Sequence, residues 1–328
     1  MSIAAVPFPQ SRPDGYTWFE NEPTFDPAKH LALARPKRIR YLEEFGYSSE
    51  EVKSKASPVA VSSPFRVLSE EGAQVLLDTA RSLRQHAISC KRIENMVRGG
   101  CYRSRFLRDL CVNPSLTQLM CDIYETDVAP HTMPVHLGHM SFSPTDLSKV
   151  VNKWHHDTLP LDMVMMVTDP KGLDGGQFEY FVGTKTEMAD LAAQGLTPPI
   201  DRIEAPPFHG PGYAIALHGN MLVHRSVPLN TVGERISMVN GYVSTNCALD
   251  DQHRHKGLIS IDDPVTLYAE WAKHSAWRAK ERLDSLVSTM KFNPDSDSIA
   301  DELELAISDV TKTIAEMRDI DMHHYGKS

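Results

Sequence analysis

Trp154-His155-His156-Asp157 is the stretch around which this chain is read. In a β-strand alternate side chains share a face, so His155 and Asp157 point one way and His156 the other. One strand can offer two ligands to an ion only at positions i and i+2. A third ligand must come from elsewhere, and His224, 67 residues beyond Asp157, is the candidate. Two imidazoles and a carboxylate are the set that holds non-haem Fe(II) and leaves its other coordination positions open. His155, Asp157 and His224 are therefore the candidate metal ligands. A lone His-x-Asp recurs by chance, so its surroundings have to agree.

The surroundings read as β-structure. From about Val135, short apolar runs alternate with Gly, Pro, Asp and Asn clusters, the pattern of an all-β roll or barrel. Strands are predicted over Val135 to Phe142, Trp154 to Thr158, Asp162 to Thr168, Gln177 to Val182, Gly212 to Leu217, Met221 to His224 and Arg235 to Val243. Upstream, Ser69 caps a predicted helix to about Ala87, and a second follows Pro114 from Ser115 to Tyr124. Thr186 to Ala193 is predicted as a short inserted helix. The organisation is an N-terminal extension (1–60), helical elements (61–134), a β core (135–250) and a C-terminal helical pair (251–328) broken at Asn293-Pro294. Leu303, Ile307, Val310, Ile314 and Met317 step by 4, 3, 4 and 3, a narrow apolar seam. It packs on its own chain or forms a homodimer interface.

Composition narrows the class. The 328 residues are 23% charged and 41% hydrophobic with a net charge of −9, ordinary for a globular protein and opposed to a nucleic-acid-binding role. No apolar run is long enough to span a membrane, and no secretory signal is visible. The five cysteines are odd in number and contain no C-x-x-C pair, which argues against a zinc knuckle or disulfide framework. A reduced, cytoplasmic protein is expected.

Eleven residues beyond His224 stands Arg235, with Ser237 two further on. Pro228-Leu229-Asn230-Thr231-Val232-Gly233-Glu234 between them reads as a turn, which would make the two strands hairpin neighbours. Arg235 and Ser237 share a face, taken as the inward one. An inward Arg is costly unless paired. A guanidinium holds a carboxylate by two parallel hydrogen bonds, so Arg235-x-Ser237 reads as an anchor for an acid.

In order and spacing, His155-x-Asp157, His224 and Arg235-x-Ser237 resemble the pattern of Fe(II)/2-oxoglutarate-dependent oxygenases, over roughly Val135 to Val243. A fainter likeness is to ring-forming members that act on amino acids. The resemblance implies a mainly β fold with flanking helices, a double-stranded β-helix or cupin-like jelly roll. It implies Fe(II) on His155, Asp157 and His224, 2-oxoglutarate held by Arg235 and Ser237, and O2 as cosubstrate. 2-Oxoglutarate would be decarboxylated to succinate as hydrogen is taken from a small polar substrate, an amino acid or natural-product intermediate being candidates. The Asp157 carboxylate favours hydroxylation, desaturation or oxidative cyclisation over halogenation. Two alternatives stay open. One is an oxidase that takes no 2-oxoglutarate and uses Arg235 and Ser237 for the substrate's own carboxylate. The other is a non-catalytic β-roll metal-binding or sensor protein.

In the resembled fold the strand after Gly175-Gly176 lies beside the metal pocket, which makes Gln177 a candidate cofactor contact and Glu179 a candidate substrate contact. Arg98, Arg103 and Lys153 are candidates to fix an acidic substrate group. His156 is expected to face away; His218, which closes the strand before His224, is a core histidine or one that stands behind the ligands. His209, His253, His255, His323 and His324 are expected in solvent.

Overall fold

The alternation that orients His155 and Asp157 also organises the structure around them. The computed structural model describes residues 6–89, 94–144, 146–147, 153–249 and 255–318, with 255 and 256 by backbone only. The chain divides into two compact units, Met1–Gln252 and His253–Ser328.

In the first unit the described strands are β1 (Ile39–Tyr41), β2 (Val59–Ser62), β3 (Phe65–Arg66), β4 (Met96–Val97), β5 (Val128–Pro130), β6 (His139–Phe142), β7 (Leu161–Met166), β8 (Phe178–Phe181), β9 (Ile203–Glu204), β10 (Tyr213–Leu217), β11 (His224–Ser226) and β12 (Ile236–Ser244). They form two antiparallel sheets. The larger runs β1-β2-β10-β7-β12-β6-β4, with β3 beside β10 and β5 beside β12; the smaller runs β11-β8-β9. The architecture is thus antiparallel β-sheet with flanking helices.

Period-2 alternation gives the large sheet two unlike faces. Val97, Met140, Met163, Met165, Ala214, Ala216 and Met238 lie on one face and are buried with Leu76, Leu83, Phe106, Leu110, Leu116 and Met120 from three helices. Those helices are Glu70–Leu83, Arg105–Cys111 and Pro114–Tyr124. Each starts where a side chain satisfies free N–H groups: Ser69 caps Gly72, Ser104 caps Leu107, and Asn113 caps Ser115 and Leu116. Burying each large apolar side chain stabilises by roughly 1.5–3 kcal/mol, which makes this helical layer the main support of the sheet. On the opposite face Val61, Ile215 and Leu217 pack with Phe178, Tyr180, Met221 and Leu222 of the small-sheet region. The candidate site lies between the two sheets.

Two expectations need correction. The strands bearing His224 and Arg235 are not hairpin neighbours. β11 pairs with β8, whereas β12 pairs with β5, β6 and β7, so residues 227–235 cross from one sheet to the other. And residues 1–60 are not only an extension, because β1 and β2 sit at the edge of the large sheet.

In the second unit, helices Pro264–Thr289 and Ser296–Arg318 pack side by side. Ala306 and Thr313 are the buried positions of the second helix, and Arg278 Nε donates to Asp309 Oδ2 at 2.9 Å. Of the apolar seam, Leu303, Ile307 and Ile314 are exposed and Val310 and Met317 half-buried. Small residues allow the helices to approach closely, so the contact follows Ala306 and Thr313. No helix among the described residues is long and apolar enough to cross a membrane.

Candidate metal and acid-binding site

Trp154 to Thr158 forms a single bridge rather than the expected strand. His155 pairs with His224 through reciprocal backbone bonds of 3.0 and 2.8 Å, and Asp157 N–H donates to Gly219 O at 2.8 Å. This is enough to keep the i, i+2 geometry. Ligand atoms of His155, Asp157 and His224 all lie within 4.8 Å of one another, the one such cluster among the described residues. His155 Nε2 is 3.5 Å from Asp157 Oδ1, and His224 Nε2 is 3.4 Å from Asp157 Oδ2. His156 is exposed on the other side.

The donor set fits a metal ion. His155 Nδ1 is 2.6 Å from Lys153 O and His224 Nδ1 is 3.0 Å from Leu222 O. A carbonyl only accepts, so the proton of each neutral ring belongs on Nδ1, and Nε2, the atom that faces Asp157, is the one left for a metal. That is the tautomer a metal-ligating histidine needs, fixed by a partner outside the coordination sphere. Bonds of about 2.0–2.2 Å to nitrogen and oxygen bring neighbouring ligand atoms to about 3 Å, so small side-chain adjustments close the set. Phe178 stacks on His224, with centroids 5.4 Å apart. Side-chain exposure rises from 8% at His224 to 16% at His155 and 34% at Asp157, so the open side of the cluster lies toward Asp157.

Arg235, 3% exposed, has no acidic partner among the described residues. Its Nε donates to Gly176 O at 2.7 Å, its Nη2 to Ser226 Oγ at 3.0 Å, and its Nη1 approaches Ser237 Oγ at 3.4 Å. Burial lowers its pKa to about 10, which leaves it fully charged at neutral pH. A buried cation surrounded only by neutral acceptors is a site for an anion.

Gly176 and Ser226 were not singled out from sequence. The signal for the first was present in Gly175-Gly176: both have positive φ, +90° and +76°. A Cβ on Gly176 would lie 2.9 Å from Arg235 Cδ, so the absent side chain is what lets its carbonyl reach the guanidinium. Ser226 follows His224 by two residues and shares its face, the same rule that pairs His155 with Asp157.

The remaining candidates separate. Glu179 lies opposite Arg225 in the β8–β11 ladder, on the face away from His224. It pairs with Arg225 at 2.7 Å, and Arg225 covers the Trp154 ring at 4.4 Å. Gln177 is exposed and by alternation shares that outer side; its carbonyl accepts from Val227 N–H. Arg103 lies over the Tyr16 ring at 4.1 Å, against the N-terminal segment. Lys153 is exposed and contributes through its carbonyl. Arg98 stays near the cluster: it is 3.4 Å from His136 Nδ1, and its charge acts on His139 and Asp162. His218 is buried with a pKa lowered to about 4 by desolvation, and its carbonyl accepts from Met221 and Leu222. His209 is exposed; His253, His323, His324 and the His255 side chain lie outside the described residues.

Asp162 is 1% exposed, and neither carboxylate oxygen has a hydrogen-bond partner among the described residues. Its pKa is raised well above 3.8, first by burial and then by the charge of Asp157, with Arg98 opposing. A carboxyl whose folded pKa is raised binds its proton more tightly in the native state. Its contribution to stability is full below the unfolded pKa and is lost as pH rises through the folded one. Asp162→Asn in the metal-free protein is therefore expected to melt at or above the wild-type temperature near about pH 8. The advantage should vanish near about pH 4. Melting curves at both pH values check this, and a variant less stable by the same margin at each would contradict it.

No family model matches the chain, and no curated protein matches it. The resemblance to 2-oxoglutarate-dependent enzymes recurs among solved structures. The non-haem α-ketoglutarate-dependent carbocyclase SnoK from nogalamycin biosynthesis is 13% identical, with a TM-score of 0.45 over 69% of this chain and 94% of its own. HygX from Streptomyces hygroscopicus, solved with nickel and 2-oxoglutarate, is 14% identical, with a TM-score of 0.40 over 61% of this chain and 88% of its own. The non-haem monooxygenase ThoJ, solved with nickel, is 12% identical, with a TM-score of 0.43 over 82% of this chain and 98% of its own. These likenesses are distant, and the functional reading rests on the side chains described above.

Proposed function

We propose that this chain is a non-haem Fe(II)/2-oxoglutarate-dependent oxygenase of the double-stranded β-helix type, acting on a small polar metabolite by hydroxylation, desaturation or oxidative cyclisation. The observation that carries the reading is the pairing of two preorganised features. His155, Asp157 and His224 have their donor atoms gathered and their tautomers set, and Arg235 is a buried cation with no counter-ion among the described residues, braced from the same strand as His224.

His155, Asp157 and His224 would hold Fe(II), which when bound supplies O2 activation coupled to decarboxylation of 2-oxoglutarate. Arg235 and Ser237 would hold the far carboxylate of the cosubstrate through charge-assisted hydrogen bonds. The Lys153 and Leu222 carbonyls keep both Nδ1 protons in place, so neither imidazole can turn its N–H toward the metal. Phe178 covers the His224 ring and keeps water from that side. Arg98 is the side chain we assign to an acidic group of the substrate.

Anaerobic addition of Fe(II) and then 2-oxoglutarate should produce a weak visible metal-to-ligand charge-transfer band, and admission of O2 should yield succinate. Oxygen consumption indifferent to 2-oxoglutarate would instead favour the oxidase that holds its substrate's carboxylate on Arg235. Failure to bind Fe(II) would sink both readings.

A further inference from the structure

The donors of Arg235 are not equally available. A guanidinium offers five N–H groups in a fixed plane. Nε and Nη2 share one edge of that plane, and the edge is occupied by Gly176 O and Ser226 Oγ. Nη1 approaches Ser237 Oγ at 3.4 Å, so what remains for a ligand beside Ser237 is the tip, formed by the second N–H groups of Nη1 and Nη2. Ser226 stands two residues beyond His224 on β11, about 7 Å along a strand, and the ladder to Phe178 and Tyr180 of β8 fixes its register. The separation between a candidate metal ligand and the brace of the anchor is thus set within one paired strand. Gly176 O holds the same edge at Nε, so the guanidinium is fixed along that edge at two points.

We propose that Ser226 is a positioning residue which, with the Gly176 carbonyl, fixes how far the tip of Arg235 stands from the metal. It thereby selects the length of the dicarboxylic 2-oxo acid that the site accepts. The proposal rests on the 2-oxoglutarate reading above. A six-carbon acid needs the guanidinium to withdraw along its own axis, and a four-carbon acid needs it to advance. Both motions break the Nη2 bond to Ser226.

The test is anaerobic calorimetric titration of the Fe(II)-loaded protein with oxaloacetate, 2-oxoglutarate and 2-oxoadipate, in wild type, Ser226→Ala and Ser226→Thr. Wild type should prefer 2-oxoglutarate. Ser226→Ala should weaken 2-oxoglutarate about tenfold, the scale of one hydrogen bond to a charged group. It should narrow the gap to 2-oxoadipate and leave Fe(II) affinity unchanged. Ser226→Thr, which keeps the hydroxyl, should restore both affinity and preference. Three results would overturn the proposal: Ser226→Ala behaving as wild type, weakening all three acids equally, or losing Fe(II) affinity in step with the acids. If wild type binds Fe(II) but none of the acids, the 2-oxoglutarate reading itself fails and this inference falls with it.

Discussion

An Asp157→Ala variant is expected to lose Fe(II) affinity by more than about a hundredfold, since even residues behind the metal ligands cost 10–100-fold when replaced. The reason is specific to this site. Asp157 is the member that approaches both imidazoles, with one oxygen toward each. Without it His155 and His224 remain side by side, their centroids 4.4 Å apart, two neutral ligands with no charge to offset a dication. The fold should survive, because Asp157 is partly exposed and its backbone bond to Gly219 persists. Metal titration followed by calorimetry checks the first statement and circular dichroism the second. Tight Fe(II) binding by the alanine variant would place the metal elsewhere.

Arg235→Met should separate binding from stability in opposite directions. Removing one partner of a buried, hydrogen-bonded charge pair costs about 2–5 kcal/mol, so 2-oxoglutarate affinity should fall by roughly 30-fold to a few thousandfold. In the ligand-free protein the same change removes a desolvated cation that has no counter-ion among the described residues. Replacement of such a charge by an apolar side chain of similar size is commonly neutral or stabilising. The melting temperature without ligand should therefore hold or rise, although Gly176 O loses a donor. Fe(II) binding should be unaffected. A large drop in melting temperature with 2-oxoglutarate binding retained would mark Arg235 as a structural residue.

What was legible in the sequence was local. Alternation chose His155 over His156 from three letters, and it placed Arg235 with Ser237. Ser69 and Pro114 marked helix starts that the structure reproduces within a residue. What was not legible depended on which strand meets which. Residues 228–234 have turn composition whether the chain reverses beside itself or crosses to another sheet, so composition does not separate a hairpin from the crossing that the structure has. β1 and β4 have three and two residues, too few for any period to show. Which face Glu179 presents is not legible from strand direction alone; the ladder places it opposite Arg225, on the face away from His224. In the second unit the apolar period pointed to Leu303 and Ile307, while packing followed the smaller Ala306 and Thr313.

The crossing of residues 227–235 has a mechanical consequence. The three candidate ligands belong to the small sheet and its bridged neighbour, whereas Arg235 and Ser237 belong to the large one. On the proposed reading, an acid chelated at one end and anchored at the other would be a further tie between the layers, beside apolar packing and the bonds of Arg235 to Gly176 O and Ser226 Oγ. A metal alone would hold only the small-sheet side, whereas a cosubstrate anchored on Arg235 would reach both.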